Sequence, residues 1–368
     1  MRVLMVSKAC IHGAYQRKLE ELANCGVELT VVVPPSWRDH GGQVFHLDRQ
    51  HTQGYRLTVE PLALNGHFHT HFYPQLGRHF QGQRWDVVHA DEEPYNLATL
   101  QIIALARRSG ARALFFTWQN LLHRYPLPVR LIERYCYGRV AGAIAGNGEA
   151  RTVLRRKGYA GLAWVIPQFG VDPELFAPRG APRPSPNSVF RVGYVGRLEH
   201  KKGVHLLVAA CARLGGGVQL DLLGWGPEEP RLRALASACG MAERLHIHTA
   251  RASTEVPAFL RQLDALVLPS LTTPQWKEQF GRALVEAMAC ETPVIGSDSG
   301  EIQRVIGDAG LLFPEGNTAE LTEQLARLRG DPALRRELGV RGRQRVQAHY
   351  TQKRIAEQTW QAYQALSA

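Results

Sequence analysis

Two stretches of alternating strand-like and helix-like segments, separated by a proline-rich run, constrain the fold of this chain more than any other feature. Apolar runs of about four to eight residues alternating with longer periodic segments mark parallel sheets built from β-α-β units. In the first stretch residues 2–7, 28–33, 85–89, 113–117 and 142–146 read as strands, and 15–24, 98–109 and 130–138 as helices. In the second, 190–195, 219–223, 245–248, 265–269 and 293–296 read as strands, and 204–214, 228–239, 255–261 and 280–288 as helices. A helical tail from 318 to 366 breaks near Gly330 and again around His349. Pro173, Pro178, Pro182, Pro184 and Pro186 fall between the two stretches, as a domain linker should. Residues 34–84 carry weaker periodicity, and 40–79, rich in histidine, take no assigned role.

The chain has 368 residues, whereas single hydrophobic cores stop growing at about 250 to 300. The expectation is therefore an α/β protein of two Rossmann-like, doubly wound parallel-sheet domains facing across a cleft, with ligands at the carboxyl ends of the strands. The boundaries read as an N-terminal domain over 1–172, a linker over 173–188, a C-terminal domain over 189–348 and a final helix over 349–368. With 45% hydrophobic and 21% charged residues, disorder, collagen-like repeats and coiled coil are poor readings. The longest uncharged apolar runs, 29–35 and 141–145, fall far short of the roughly 18 residues of a spanning helix. The N-terminus lacks a signal peptide's features. A cytoplasmic chain is expected. Six cysteines without a C-x-x-C pair argue against a zinc ribbon or a disulfide framework. An excess of 44 Lys+Arg over 33 Asp+Glu favours an anionic partner, but it is scattered, which argues against nucleic acid.

Glu278-Gln-Phe-Gly-Arg-Ala-Leu-Val-Glu286 puts two carboxylates around a predicted helix start at Phe280. Such a start offers free N–H groups and a favourable dipole to a diphosphate, and the carboxylates accept from hydroxyl pairs of a ribose or a hexose. A first-turn acid and an exposed mid-helix glutamate are the ordinary alternative. Gly193-Tyr-Val-Gly-Arg197-Leu-Glu-His-Lys201-Lys202-Gly203 places a guanidinium and an ammonium just past a strand end, the pair needed to neutralise a departing diphosphate without a metal. Solvated loop charges are the ordinary reading there. Gly224-Trp-Gly226-Pro gives a loop of close approach, or merely a turn.

Taken in order, Gly196-Arg197-Leu with Lys202-Gly, Leu-Leu-Gly224-Trp-Gly226-Pro, Leu-Pro-Ser270, Glu278-Gln-Phe-Gly with Glu286-Ala-Met-Ala-Cys, and Thr292-Pro-Val-Ile resemble glycosyltransferase family 4, retaining enzymes of the GT-B fold. The resemblance covers residues 190–330 and is looser before them, where 167–172 and 174–176 are similar to the family's hinge segment. Residues 349–366 resemble the helix that in this fold crosses back onto the first domain. The resemblance implies that Gly196, Arg197, Lys202, Gly224 and Gly226 hold the donor diphosphate, with Arg197 and Lys202 stabilising the leaving group. It implies that Glu286 binds ribose hydroxyls, that Glu278 binds the transferred sugar, and that the N–H groups of Phe280 and Gly281 reach the distal phosphate. Gly13, read in the loop after the first strand, matches the family's glycine near the donor, and Arg251 is placed beside the base. The activity implied is a metal-independent, retaining transfer of a sugar from a nucleoside diphosphate, expected to be UDP, to a saccharide or lipid-linked acceptor in polysaccharide biosynthesis, with no cofactor.

Three positions depart from the pattern. Gln119, in Thr117-Trp-Gln-Asn120, stands where many members carry histidine; Gln is no base but still hydrogen-bonds a hydroxyl, as a mechanism in which the leaving phosphate takes the proton requires. The loop 246–250 and the turn at Glu291 lack usual glycines. On the acceptor side, Asp91, Glu92 and Glu93 follow a strand end and are read evenly as hydroxyl acceptors or as first-turn acids of the next helix; His12 and His123 enter by location alone. His67, His69 and His71 alternate, a metal clip in principle and a polar loop more ordinarily, so no metal is expected. Residues 124–139 combine Arg with aromatics in a way that an acidic bilayer surface would attract, which allows a peripheral contact at the inner membrane face. The rivals are a nucleotide-sugar-binding protein without turnover and a phosphorylase or epimerase of the same fold.

Overall fold

The computed structural model describes residues 1–39, 41–178, 180, 189–249 and 255–367. The chain forms two compact units, one of residues 1–170 with 352–368 and the other of 171–351. Most of the residues 173–188 read as a linker, and Arg251, lie outside the described residues.

The first unit runs β1 (Arg2–Val6), α1 (Gly13–Asn24), β2 (Glu28–Val33), β3 (Ser36–Arg38), β4 (Val44–His46), β5 (Arg56–Val59), β6 (Val87–Ala90), α2 (Leu97–Arg108), β7 (Arg112–Thr117), α3 (Leu127–Tyr137), β8 (Gly142–Ala145), α4 (Gly148–Arg156) and β9 (Leu162–Val165). Seven of these strands make one parallel sheet in the order β5-β2-β1-β6-β7-β8-β9, and β3 pairs with β4 in a small antiparallel ribbon. Successive side chains of a strand point to opposite faces, so β1 sends Val3 and Met5 into one apolar cluster and Leu4 and Val6 into another. Burial on both faces is why these strands are continuous apolar runs rather than alternating ones. The last helix described, α12 over Gln352–Ser367, belongs to this unit. It lays Ile355, Ala356, Ala362, Tyr363 and Leu366 in the cluster that holds Leu19 and Leu22 of α1, and the Tyr363 hydroxyl sits 2.7 Å from Nδ1 of His89.

The second unit runs β10 (Phe190–Val195), α5 (Val204–Arg213), β11 (Val218–Leu223), α6 (Glu229–Ala238), β12 (Leu245–His248), α7 (Val256–Leu260), β13 (Ala265–Leu268), α8 (Arg282–Ala289), β14 (Val294–Ser297), α9 (Ile302–Ile306), β15 (Leu311–Phe313), α10 (Thr318–Gly330) and α11 (Pro332–His349). Its sheet is parallel, in the order β12-β11-β10-β13-β14-β15. In both sheets the order reverses beside the first strand, between β1 and β6 and between β10 and β13. Such reversals are where open α/β sheets receive ligands, outside the carboxyl ends of the strands.

Two sequence expectations shift. The helix expected from Phe280 starts at Arg282, because Gly281 is the cap and holds φ 78°. Gly13 is not in a loop: it is the first residue of α1, after His12 as cap.

Candidate functional site

In the second unit, the loop after β10 and the loop after β13 leave adjacent strands at the reversal point, and their side chains meet. Lys202 Nζ lies 2.7 Å from Glu278 Oε2, and the Ser270 hydroxyl donates to the same oxygen at 2.9 Å. Both charged side chains are largely withdrawn from solvent, at 18% and 11% exposure, so the pair is shielded enough to orient and open enough to be approached. The Trp276 ring lies 4.3 Å from the Lys202 ammonium and 5.1 Å from that of Lys201, a cation–π arrangement that restrains a flexible side chain. Arg197 stacks its guanidinium 3.8 Å over the Trp225 ring. Glu199 links the two cations, with its carboxylate 3.4 Å from Arg197 Nε and 2.8 Å from Lys201 Nζ. Burial pushes that carboxyl upward, but Lys201, Arg197 and Lys202 outweigh burial and hold it below the ordinary value.

The glycines of these loops let backbone meet backbone. A Cβ on Gly203 would stand 1.9 Å from the Pro269 carbonyl oxygen, and the residue holds φ 67°, a left-handed conformation that costs other residues energy. That approach seats the Lys202 end of one loop on the Ser270 end of the other. Gly224 presses likewise on the Gly196 carbonyl, 1.9 Å from a built Cβ, and Gly226 on that of Leu198 at 2.3 Å. Glu278 is held from below as well, because its carbonyl accepts from the Glu301 N–H at 3.1 Å.

Arg197, Lys202, Glu278, Gly196, Gly224 and Gly226 therefore belong to one neighbourhood at the carboxyl end of the sheet. Glu286 lies just over one turn into α8, buried, with its carboxylate 2.6 Å from Arg282 Nε. Phe280 precedes the cap and places its ring 5.7 Å from that of Tyr350. Ser270 and Trp225 entered the sequence reading only inside the Leu-Pro-Ser and Gly224-Trp-Gly226 motifs, with no role given to either side chain, and Trp276 was not singled out.

The first unit corrects several expectations. Asp91 and Glu92 do not stand open to hydroxyls, and all three acids precede Asn96, the cap of α2, so they are not its first-turn acids. Asp91 is buried and accepts from the Ser7 hydroxyl at 2.6 Å. Glu92 is buried and ion-paired to Lys8. Glu93 accepts from the Thr117 hydroxyl at 2.6 Å and the Trp118 N–H at 2.8 Å. The physical reason is local: the reversal between β1 and β6 brings Ser7 and Lys8 against Asp91 and Glu92, so that one oxygen of each carboxylate takes a protein partner while Asp91 Oδ1 and Glu92 Oε1 stay buried without a hydrogen bond among the described residues. Gln119 also has protein partners, receiving Lys157 Nζ at 2.9 Å and donating to the Tyr125 hydroxyl at 3.2 Å. Lys157 in turn holds the buried Glu133 at 2.6 Å. His12 meets the Tyr15 and Phe45 rings edge-on, and a Cβ on Gly13 would meet Gln50 at 2.4 Å. His71 is buried against the carbonyls of His67 and Phe68. No group of three metal-ligating side chains occurs among the described residues, and no helix among them is long and apolar enough to cross a membrane.

A concavity of about 760 Å³ lies elsewhere, among Arg2, Glu28, Arg56, Arg78, His79 and Trp85. It opens at the amino ends of β1, β2 and β5, the wrong end of the sheet for ligands of this architecture.

Residues 181–345 match the family model Glycosyl transferases group 1, and residues 14–168 match the Glycosyl transferase 4-like domain. The chain belongs to the family 4 glycosyltransferases. This family member is 32% identical over 238 residues to alpha-maltose-1-phosphate synthase of Mycolicibacterium smegmatis, covering 59% of this chain and 58% of the relative. It is 33% identical over 184 residues to D-inositol 3-phosphate glycosyltransferase of Arthrobacter, covering 46% and 42%. The matched part thus spans about half the length of these curated relatives. Among solved structures, sucrose-phosphate synthase from Thermosynechococcus elongatus aligns with a TM-score of 0.72 at 21% identity over 100% of this chain and 99% of that one. Anabaena HepE in complex with UDP aligns with 0.75 at 18%, over 99% and 100%. At these identities the likeness establishes the fold of the family member, GT-B with its two Rossmann-like units.

Proposed function

We propose that the chain is a retaining, metal-independent glycosyltransferase that moves a sugar from a UDP-sugar to a saccharide or lipid-linked acceptor. The observation that carries this reading is the Lys202–Glu278 pair, steadied by Ser270 and Trp276 at the reversal point of the second sheet. HepE, solved with UDP and with UDP-glucose, supports a UDP-sugar donor.

In this reading Lys202 and Arg197 offset the negative charge that grows on the departing diphosphate. An ammonium has three donors, so Lys202 can meet a phosphate oxygen without leaving Glu278. Glu278, acceptor-only while ionised, takes hydroxyls of the transferred sugar, and Glu286 takes those of the ribose. The positive end of the α8 dipole favours the distal phosphate. The departing phosphate itself accepts the proton of the incoming hydroxyl on the same face of the sugar, which keeps the anomeric configuration and requires no protein base.

Melting curves with UDP-, GDP- and ADP-sugars test the donor, since a ligand that binds only the native state raises the melting point. Lys202→Ala should lower turnover at least about a hundredfold with the fold intact; near-wild-type rates would remove Lys202 from the chemistry. A second reading, donor binding without turnover, is favoured by the occupied amide of Gln119. Release of free UDP by the wild type, in the presence of acceptor or by slow hydrolysis in its absence, excludes it.

A further inference from the structure

Among the described residues of the first unit, Leu127 and Leu131, at 64% and 57%, are the two most exposed large apolar side chains, and Leu122 is 52% exposed. They gather on one short stretch, the loop after β7 and the first half of α3. Leu127 and Leu131 are four residues apart on the helix and therefore share a face. Around them stand the exposed Arg124, Arg130 and Arg134, with Arg130 and Arg134 forming the adjacent i, i+4 row. Arg139, at the far end of the helix, stacks its guanidinium 4.2 Å over the Tyr135 ring. The one acid of the stretch, Glu133, is buried and bound to Lys157, so it does not neutralise the outer face. The solvent side of α3 thus offers aliphatic tips ringed by cations alone.

We infer that this face docks the protein on an anionic lipid bilayer, with Leu122, Leu127 and Leu131 entering the boundary between headgroups and acyl chains and Arg124, Arg130 and Arg134 lying among the phosphates. Charge complementarity selects this occupant. An apolar tip alone suits any apolar partner, but a cation ring with no exposed acid matches a surface that is negative throughout and apolar just beneath, as interfacial helices require. Polybasic contact with anionic lipid strengthens with each basic residue and weakens with salt. The contact is peripheral. It holds whether or not the proposed sugar transfer is correct, because it uses none of the residues of the second unit.

The test is co-sedimentation of the purified full chain with phosphatidylcholine vesicles carrying about one third phosphatidylglycerol, against pure phosphatidylcholine. Binding to the anionic vesicles only, weakening as salt is raised, is expected. Leu127→Gln with Leu131→Gln should lower that affinity about tenfold, and Arg130→Gln with Arg134→Gln should lower it and flatten its salt dependence. Both pairs are exposed, so the melting point should hold, which separates lost docking from lost folding. Arg107→Gln with Arg108→Gln, exposed on α2, should change little. Equal binding to both vesicle types, full affinity in the leucine variant, or equal loss in the α2 control would each overturn the inference. So would capture by soluble polyglutamate as tight as capture by vesicles, since an acidic protein would then be the better partner.

Discussion

Burial pushes the Glu93 carboxyl up to about 7, against the lowering hydrogen bonds from Thr117 and Trp118. Burial pushes Glu92 upward too, but the Lys8 ammonium and His71 outweigh it and bring that group down to about 2. The two neighbours therefore act oppositely on stability. For Glu93 the native state holds its proton more tightly than the unfolded chain, so its contribution is full below the unfolded value of about 4.5 and fades as pH rises toward 7. For Glu92 the contribution is present above about 4.5 and disappears as pH falls toward 2. Glu93→Gln should flatten the melting point between pH 5 and 7.5 and, at the alkaline end, remove a burden of roughly 3 kcal/mol. A variant whose melting profile tracks the wild type would show that the carboxyl titrates normally. At this scale the sequence told unevenly. Arg197, Lys202 and Glu278 were picked out by the resemblance of the ordered motifs to the family, since each motif alone reads as solvated charge or a first-turn acid, and the structure brings Lys202 and Glu278 within 2.7 Å. The protein partners of Gln119, Asp91 and Glu92 were not legible, because Lys157, Tyr125, Ser7 and Lys8 lie up to 84 positions away in the chain.

Among the elements, the turn that joins β10 to α5 has little room for change. Gly203→Ala forces a side chain into a left-handed residue 1.9 Å from the Pro269 carbonyl, so a loss of about 2 kcal/mol or more in denaturant unfolding is expected. Donor affinity should fall with it, because the displaced loop carries Lys202. Unchanged denaturation would mean that the loop has room to yield. Strands buried on both faces were legible from their apolar runs, and so were most helices after them, but α4 after β8 and the short α9 after β14 were not read. Residues 34–84 were not, because β3, β4 and β5 are short and only partly covered, so neither a run nor an alternation is imposed on them. The same holds for β9, an edge strand with exposed Leu162 and Val165. The start of α8 slipped by two residues because a glycine cap of positive φ looks in sequence like part of the helix it precedes.

For the whole molecule, the net charge of +11 bears on encounter more than on fold. Donor KM should rise as salt is added, within the range where a Debye length of about 8 to 10 Å shortens; a flat salt series would confine electrostatic help to direct contacts. The first unit is completed by a helix from the other end of the chain, and Tyr363 and Leu366 of α12 pack in the cluster that contains Leu19 and Leu22. Removing residues 352–368 should therefore melt the first unit while the second, contiguous from 171 to 351, keeps its own transition in calorimetry. A single unshifted transition would show that α12 is dispensable. This threading also sets an order of events during synthesis. The second unit is contiguous and can close as soon as residue 351 has left the ribosome, whereas α1 must wait with an unmatched greasy flank until α12, made after the whole of the second unit, has emerged.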